Sequence, residues 1–105
     1  MAAAQLTRWP HDNPPTRSQL DIIFRQAGLS PSWWSNAPGD VYGAHSHSYH
    51  KALFCADGGI TFRIEPDGPA FYLRPGDRLD IPPGTSHSAI VGPEGVMCVE
   101  AQGGR

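Results

Sequence analysis

Four of the five histidines fall where folding can bring them together: His45, His47 and His50 within one short stretch, and His87 far along the chain. Two histidines one residue apart on an extended strand project from the same face, so the imidazoles of His45 and His47 stand side by side. That is the spacing a single metal ion needs, and a third imidazole arriving from a distant segment fixes the ion in three dimensions. His-x-His by itself is a weak signal, because a histidine taken alone is more often a hydrogen-bonded surface or core residue.

Other groups able to move protons near these histidines are few. Tyr49 lies beside them and Tyr42 precedes them, and either phenol can donate to a bound ligand, although a tyrosine in a small barrel commonly packs with its hydroxyl at the rim. Asp80 alternates with Leu79 and Ile81 and is expected to face outward. Trp33, Trp34, Phe71 and Tyr72 are candidates to wall an apolar mouth; as readily, they are core and helix-packing aromatics. No Ser-His-Asp order, phosphate-cradling glycine loop or dinucleotide fingerprint is present, so hydrolase and nucleotide chemistries fall away. No residue is singled out as catalytic.

The elements that must carry these side chains are short. From Trp33 onward, apolar or alternating runs are each closed by Gly, Pro, Asn or Asp, the pattern of hairpin-connected strands in a sandwich or barrel. Strands are predicted near Trp33–Ser35, Val41–His47, Lys51–Ala56, Ile60–Glu65, Ala70–Leu73, Arg78–Ile81, Ser86–Val91 and Val96–Ala101. Turns are expected at Asp57-Gly58-Gly59, Pro66–Pro69, Arg74–Asp77, Pro82–Thr85 and Gly92–Gly95. Residues 1–15, with Pro10, Pro14 and Pro15, read as an extended lead-in. Residues 16–28 read as one helix: Thr16-Arg17-Ser18-Gln19 has capping-box form, Leu20, Ile23, Phe24 and Ala27 follow at helical spacing, and Gly28 closes it. Its apolar stripe must pack on the barrel of residues 33–101. Both faces of the Lys51–Ala56 run are apolar, so its outer side needs the helix or a second subunit, and a homodimer is expected.

The whole-chain numbers bound the rest. With 105 residues the chain is one domain, and 39% hydrophobic against 17% charged residues excludes a charge-driven disordered chain. Twelve glycines and eleven prolines fit many short elements and tight turns. A formal charge of −2 without a basic cluster argues against nucleic-acid binding. There is no apolar run long enough for a membrane span and no leader-like opening, so a cytoplasmic protein is expected. Cys55 and Cys98 sit in apolar runs and read as two reduced core thiols rather than a bridge.

The frame around the histidines is specific. Gly39, five residues, His45-Ser46-His47, three residues, Lys51, six residues, Gly58 follows Gly-x5-His-x-His-x3-Glu-x6-Gly with lysine at the glutamate. Gly76, five residues, Pro82-Pro83-Gly84, two residues, His87, three residues, Val91 follows Gly-x5-Pro-x-Gly-x2-His-x3-Asn with valine at the asparagine. These are the two cupin motifs in the right order, and residues 33–101 resemble a small single-domain cupin of the RmlC-like jelly-roll superfamily. The resemblance implies an all-β fold: a cupin-type jelly-roll β-barrel, here with one N-terminal amphipathic helix.

It also implies that His45, His47 and His87 point into the open mouth and hold one divalent metal, with a small-molecule ligand beside it. Three neutral imidazoles suit Zn, Fe, Ni or Cu better than Mg or Ca. Such proteins include metal-dependent dioxygenases and isomerases as well as ligand sensors that do no chemistry, so the fold does not name a reaction. Lys51 cannot be a ligand while charged. It swings away, or loses its proton to the ion and to burial, or the site holds no metal; as an ammonium at the mouth it is also a candidate contact for an anionic substrate group. His50 faces opposite to Lys51 in a regular hairpin, whereas a one-residue bulge turns it inward as a fourth ligand. Lys51, His50 and Tyr49 are thus candidate substrate or fourth-ligand contacts.

Overall fold

The computed structural model describes residues 3–103 of the chain, so Met1 and Ala2 of the lead-in lie outside the described residues. In chain order the elements are β1 (Gln5–Thr7), α1 (Arg17–Gln26), β2 (Ser32–Asn36), β3 (Val41–His45), β4 (Lys51–Ile64), β5 (Ala70–Leu73), β6 (Arg78–Ile81) and β7 (His87–Gln102). Two long apolar runs dominate, and their backbone groups are satisfied by pairing with each other. β4 and β7 form one antiparallel ladder running from Lys51 opposite Gln102 to Ile64 opposite His87.

Here the structure corrects the sequence reading, which divides each of these strands in two. Asp57-Gly58-Gly59 and Gly92–Gly95 are not hairpin turns but lie inside β4 and β7, where the register shifts between Cys55 and Asp57 and between Gly58 and Ile60. Gly58 has φ +72°, and a Cβ there would collide with the Gly95 backbone. Glycine is required because the irregularity brings two backbones together at a left-handed residue.

The shifted ladder gives each long strand two sets of neighbours. The first half of β4 pairs with β6 and its second half with β5. The second half of β7 pairs with β2 and its first half with β3. The result is a jelly roll of two antiparallel halves with apolar side chains between them. Leu53, Cys55, Leu79, Ile81 and Cys98 from one half meet Ile60, Phe62, Leu73, Ala89 and Val91 from the other. Among the described residues no ladder joins β1 to β2 or β3 to β5, so the barrel is open.

The helix forms as its sequence dictates. Gln19 N donates to Thr16 Oγ1 at 3.2 Å and Thr16 N donates to Gln19 Oε1 at 2.7 Å, the reciprocal capping box. Leu29 N donates to the Phe24 carbonyl across Gly28, which has φ +78°. Leu20 and Phe24 are fully buried and cover Ala52, Phe54, Val99 and Ala101, the outer face of the β4–β7 ladder at that end. The face of Lys51–Ala56 that needed cover is therefore covered by α1.

The lead-in is more structured than its prolines suggest. β1 adds to the edge of β6, and Arg8 Nη1 then reaches the Asp77 carboxylate at 2.6 Å while Trp9 N donates to it at 3.0 Å. Cys55 and Cys98 sit directly opposite each other, both free and fully buried. The contact with Cys55, together with burial, pushes the Cys98 thiol far up and keeps it protonated.

Candidate metal centre

Three strand ends and one turn build the site. His45 is the last residue of β3 and lies opposite His87, the first residue of β7, which in turn lies opposite Ile64 of β4. The strand predicted over Val41–His47 ends at His45, so His47 lies past β3 and is not placed by the strand alternation that its spacing suggests. Its carbonyl instead accepts from Gly84 N at 2.7 Å. Gly84 has φ +75°, so the Pro82–Thr85 turn holds the His47 backbone on one side and delivers His87 on the other.

The three rings converge. Centroid separations are 5.0 Å for His45–His47, 4.5 Å for His45–His87 and 5.3 Å for His47–His87. One ring nitrogen from each lies within 4.8 Å of the other two.

Hydrogen bonding decides which nitrogens those are free to be. His87 Nδ1 is 2.9 Å from the Thr85 carbonyl and His45 Nδ1 is 2.8 Å from the Gly43 carbonyl. A carbonyl only accepts, so each Nδ1 carries the hydrogen and each Nε2 of the neutral ring is left with its lone pair. His87 Nε2 and His47 Nε2 are buried without a hydrogen-bond partner. Leaving a buried nitrogen unpaired costs about 1–3 kcal/mol, a cost that coordination removes.

Burial pulls His87 below the usual histidine range despite its bond to Thr85, and His45, Lys51 and His47 add to the lowering. His47 is lowered first by burial and then by the nearby Lys51 and His45, against the pull of Glu100. Both rings are therefore neutral near pH 7, the form that binds a cation. A divalent ion of the Zn, Fe, Ni or Cu type fits this donor set, with the three imidazole nitrogens as its protein ligands.

The other candidates separate cleanly. His50 is not part of the cluster: it lies on the outer face, where its Nε2 is 2.9 Å from Asp80 Oδ1 and both side chains are buried. Asp80 is on the outward-facing side of β6, as its alternation with Leu79 and Ile81 requires, yet it is only 4% exposed. Arg78, lying over Phe24 and Phe54, binds the same carboxylate at 3.0 and 3.1 Å and closes it off from solvent. Tyr49 stacks on His47 with ring centroids 4.8 Å apart. Lys51 points inward and its Nζ is 3.3 Å from Glu100 Oε1.

Glu100 is absent from the sequence reading, and it changes the meaning of Lys51 by giving that charge a partner. Trp34 Nε1 donates to the same oxygen at 2.7 Å. A cavity of about 180 Å³ opens beside His45, with Lys51 and Glu100 on one side and Trp34, Tyr42, Phe62 and Ala89 as the remaining wall. Tyr42 packs edge-on against Trp34 and gives its hydroxyl to Asn36 Oδ1. Of the four aromatics considered from sequence, only Trp34 lines this space. Trp33 turns to the helix, where it donates to Asp21 and lies under Arg17; Phe71 packs on the core; Tyr72 is exposed.

Comparison with known proteins adds the fold. No protein-family model and no curated protein matches this chain. Solved structures do. An RmlC-like cupin from Shewanella frigidimarina superposes with a TM-score of 0.63 at 21% identity, over 73% of this chain and 67% of the other. KdgF from Halomonas sp. gives 0.60 at 22% identity, over 70% and 67%. Protein NMB1881 from Neisseria meningitidis gives 0.61 at 21% identity, over 91% and 86%. With two long strands shared between the halves of a jelly roll and three histidines meeting at its mouth, this chain has the fold of a small cupin.

Proposed function

We propose that this protein binds one divalent transition metal through His45, His47 and His87 and binds or transforms a small molecule in the adjoining cavity. The observation that carries the reading is the convergence of the three rings, one ring nitrogen from each within 4.8 Å of the other two, with Nε2 of His47 and His87 buried and unpartnered and Nδ1 of His45 and His87 tied to carbonyls. When bound, the metal supplies Lewis-acid polarisation of an oxygen-bearing ligand or activation of water or oxygen. The chain itself supplies the ligands, the apolar wall, and a Lys51–Glu100 pair at the edge of the cavity.

Elemental analysis of the untagged protein tests the reading. The expected result is one equivalent of metal in the wild type and none in a His45→Ala, His87→Ala double variant. Equal metal in both, or no uptake by the wild type on reconstitution, refutes it.

A second reading, a binding module without turnover, has its own support. Oε1 of Glu100, the carboxylate in the cavity wall, is already engaged by Trp34 and Lys51 and is poorly placed to carry protons. Consumption of a small acid, thiol or diketone by the metal-loaded protein and not by His87→Ala favours an enzyme of the dioxygenase or isomerase kind. Binding without consumption favours the module. Two reduced core thiols accord with our further proposal of a cytoplasmic location. The homodimer is also carried forward as a proposal, with a contact face described below.

A further inference from the structure

The charges around the cavity point to a ligand class. Where the first cupin motif has glutamate, this chain has Lys51, a change of two charge units in the positive direction at the mouth. Glu100 restores one of them. Imidazole binds a cation as a neutral donor, so three such ligands leave the full double charge of a bound cation without protein compensation. An anion is what such a site lacks.

Lys51 is placed to help hold one. Its ammonium has three N–H donors, and among the described residues its one partner is Glu100 Oε1 at 3.3 Å, an oxygen already held by Trp34 Nε1 at the shorter distance of 2.7 Å. The Lys51 side chain is 11% exposed and lines the cavity, so an anion held there is within its reach and largely shielded from bulk water. The rest of the wall is apolar: Phe62 and Ala89 offer no polar atom, and the Tyr42 hydroxyl is turned to Asn36. The volume of about 180 Å³ equals roughly six water molecules and falls below the roughly 300–1,000 Å³ of sites for larger ligands.

We propose that the cavity takes small monocarboxylates with a short or single-ring apolar body, the carboxylate lying between the Lys51 ammonium and the three-histidine centre. Glu100, fixed by Trp34, is the specificity-determining residue: it holds Lys51 at the mouth and repels a second negative group on the ligand. One of the carboxylate's two partners rests on the metal reading above; the Lys51 contact does not.

Isothermal titration with benzoate and its neutral isostere benzamide tests this, using zinc-loaded and metal-free protein. Zinc-loaded wild type is expected to bind benzoate at least about tenfold more tightly than benzamide. Metal-free wild type keeps a weaker preference of the same sign. Lys51→Met, still taking up one equivalent of zinc, loses about tenfold or more in benzoate affinity, while Lys51→Arg retains most of the preference. Equal affinity for benzoate and benzamide, undiminished benzoate binding by Lys51→Met, or no benzoate binding by either form overturns the proposal. A wild type that takes up no zinc yet prefers benzoate through Lys51 sinks the metal reading and leaves this one standing.

Discussion

His87 and His50 are both buried histidines in one small protein, and their partners give them opposite roles. His87 ties one nitrogen to a carbonyl and leaves the other bare among imidazoles, whereas His50 faces Asp80, whose carboxylate also accepts from Arg78. Substituting each with alanine therefore gives different results. His87→Ala removes a ligand and is expected to weaken metal binding by more than the roughly 10–100-fold lost with a supporting residue. His50→Ala is expected to leave metal uptake unchanged and to lower stability by about 1–3 kcal/mol, because it strips a buried partner from Asp80. Metal titration and denaturant melts of the two variants check both statements. If His50→Ala abolishes metal binding while still folded, the assignment of the outer face is wrong. Glu100 shows why part of the site was hidden in the sequence. Val96, Cys98 and Glu100 share the inner face, but Val99 and Ala101 on the other face are equally apolar because the helix covers them. With both faces apolar, alternation does not say which side of the strand Glu100 takes.

The elements that hold these residues have separable supports. Phe24 is fully buried and meets Phe54 edge-on at 5.2 Å, so Phe24→Ala is expected to cost about 3–5 kcal/mol. Thr16→Ala, which removes only the cap, is expected to cost about 1 kcal/mol. Asp77 clamps the lead-in. Burial alone would raise its carboxyl, but the Arg74 and Trp9 backbone N–H groups and the Arg8 guanidinium outweigh it and hold it below its ordinary 3.8. A depressed carboxylate adds stability that is complete above the ordinary value and is lost as pH falls through the lowered one. Asp77→Asn is thus expected to be less stable at neutral pH by about 1–3 kcal/mol and to lose less on going below pH 3.8 than the wild type does. Denaturant melts of both proteins over an acid series measure this, and parallel acid limbs would refute it. At this scale the capping box, the Gly28 terminus and the Pro82–Thr85 turn were legible because each is written in a few consecutive residues. Continuity of β4 through Asp57-Gly58-Gly59 was not. Glycines that make a bulge against Gly95 look like glycines that make a turn until the partner strand is known.

The two halves of the molecule differ on their outer faces. The half containing β6 and β2 is roofed by α1, so the argument for a second subunit at Lys51–Ala56 no longer applies there. Among the described residues no helix lies over the other half. Across it, Val41 of β3 lies opposite Ile90 of β7, Ile90 opposite Thr61 of β4, and Thr61 opposite Tyr72 of β5. Alternation puts this whole register row on the outside, since Ala89 and Phe62 beside it point into the core. Val41 is 70%, Ile90 51% and Tyr72 47% exposed. For the proposed homodimer this row is the contact face to test, because a two-fold axis across it would set Val41 of each copy against Tyr72 of its mate. Ile90→Glu places an uncompensated charge at the middle of that row while leaving the interior and the three histidines untouched. Sedimentation velocity is expected to show a dimer for the wild type and a monomer for Ile90→Glu, with equal metal content and helix signal in both. A wild type that sediments as a monomer removes the dimer, and a variant that remains dimeric moves its contact to another face.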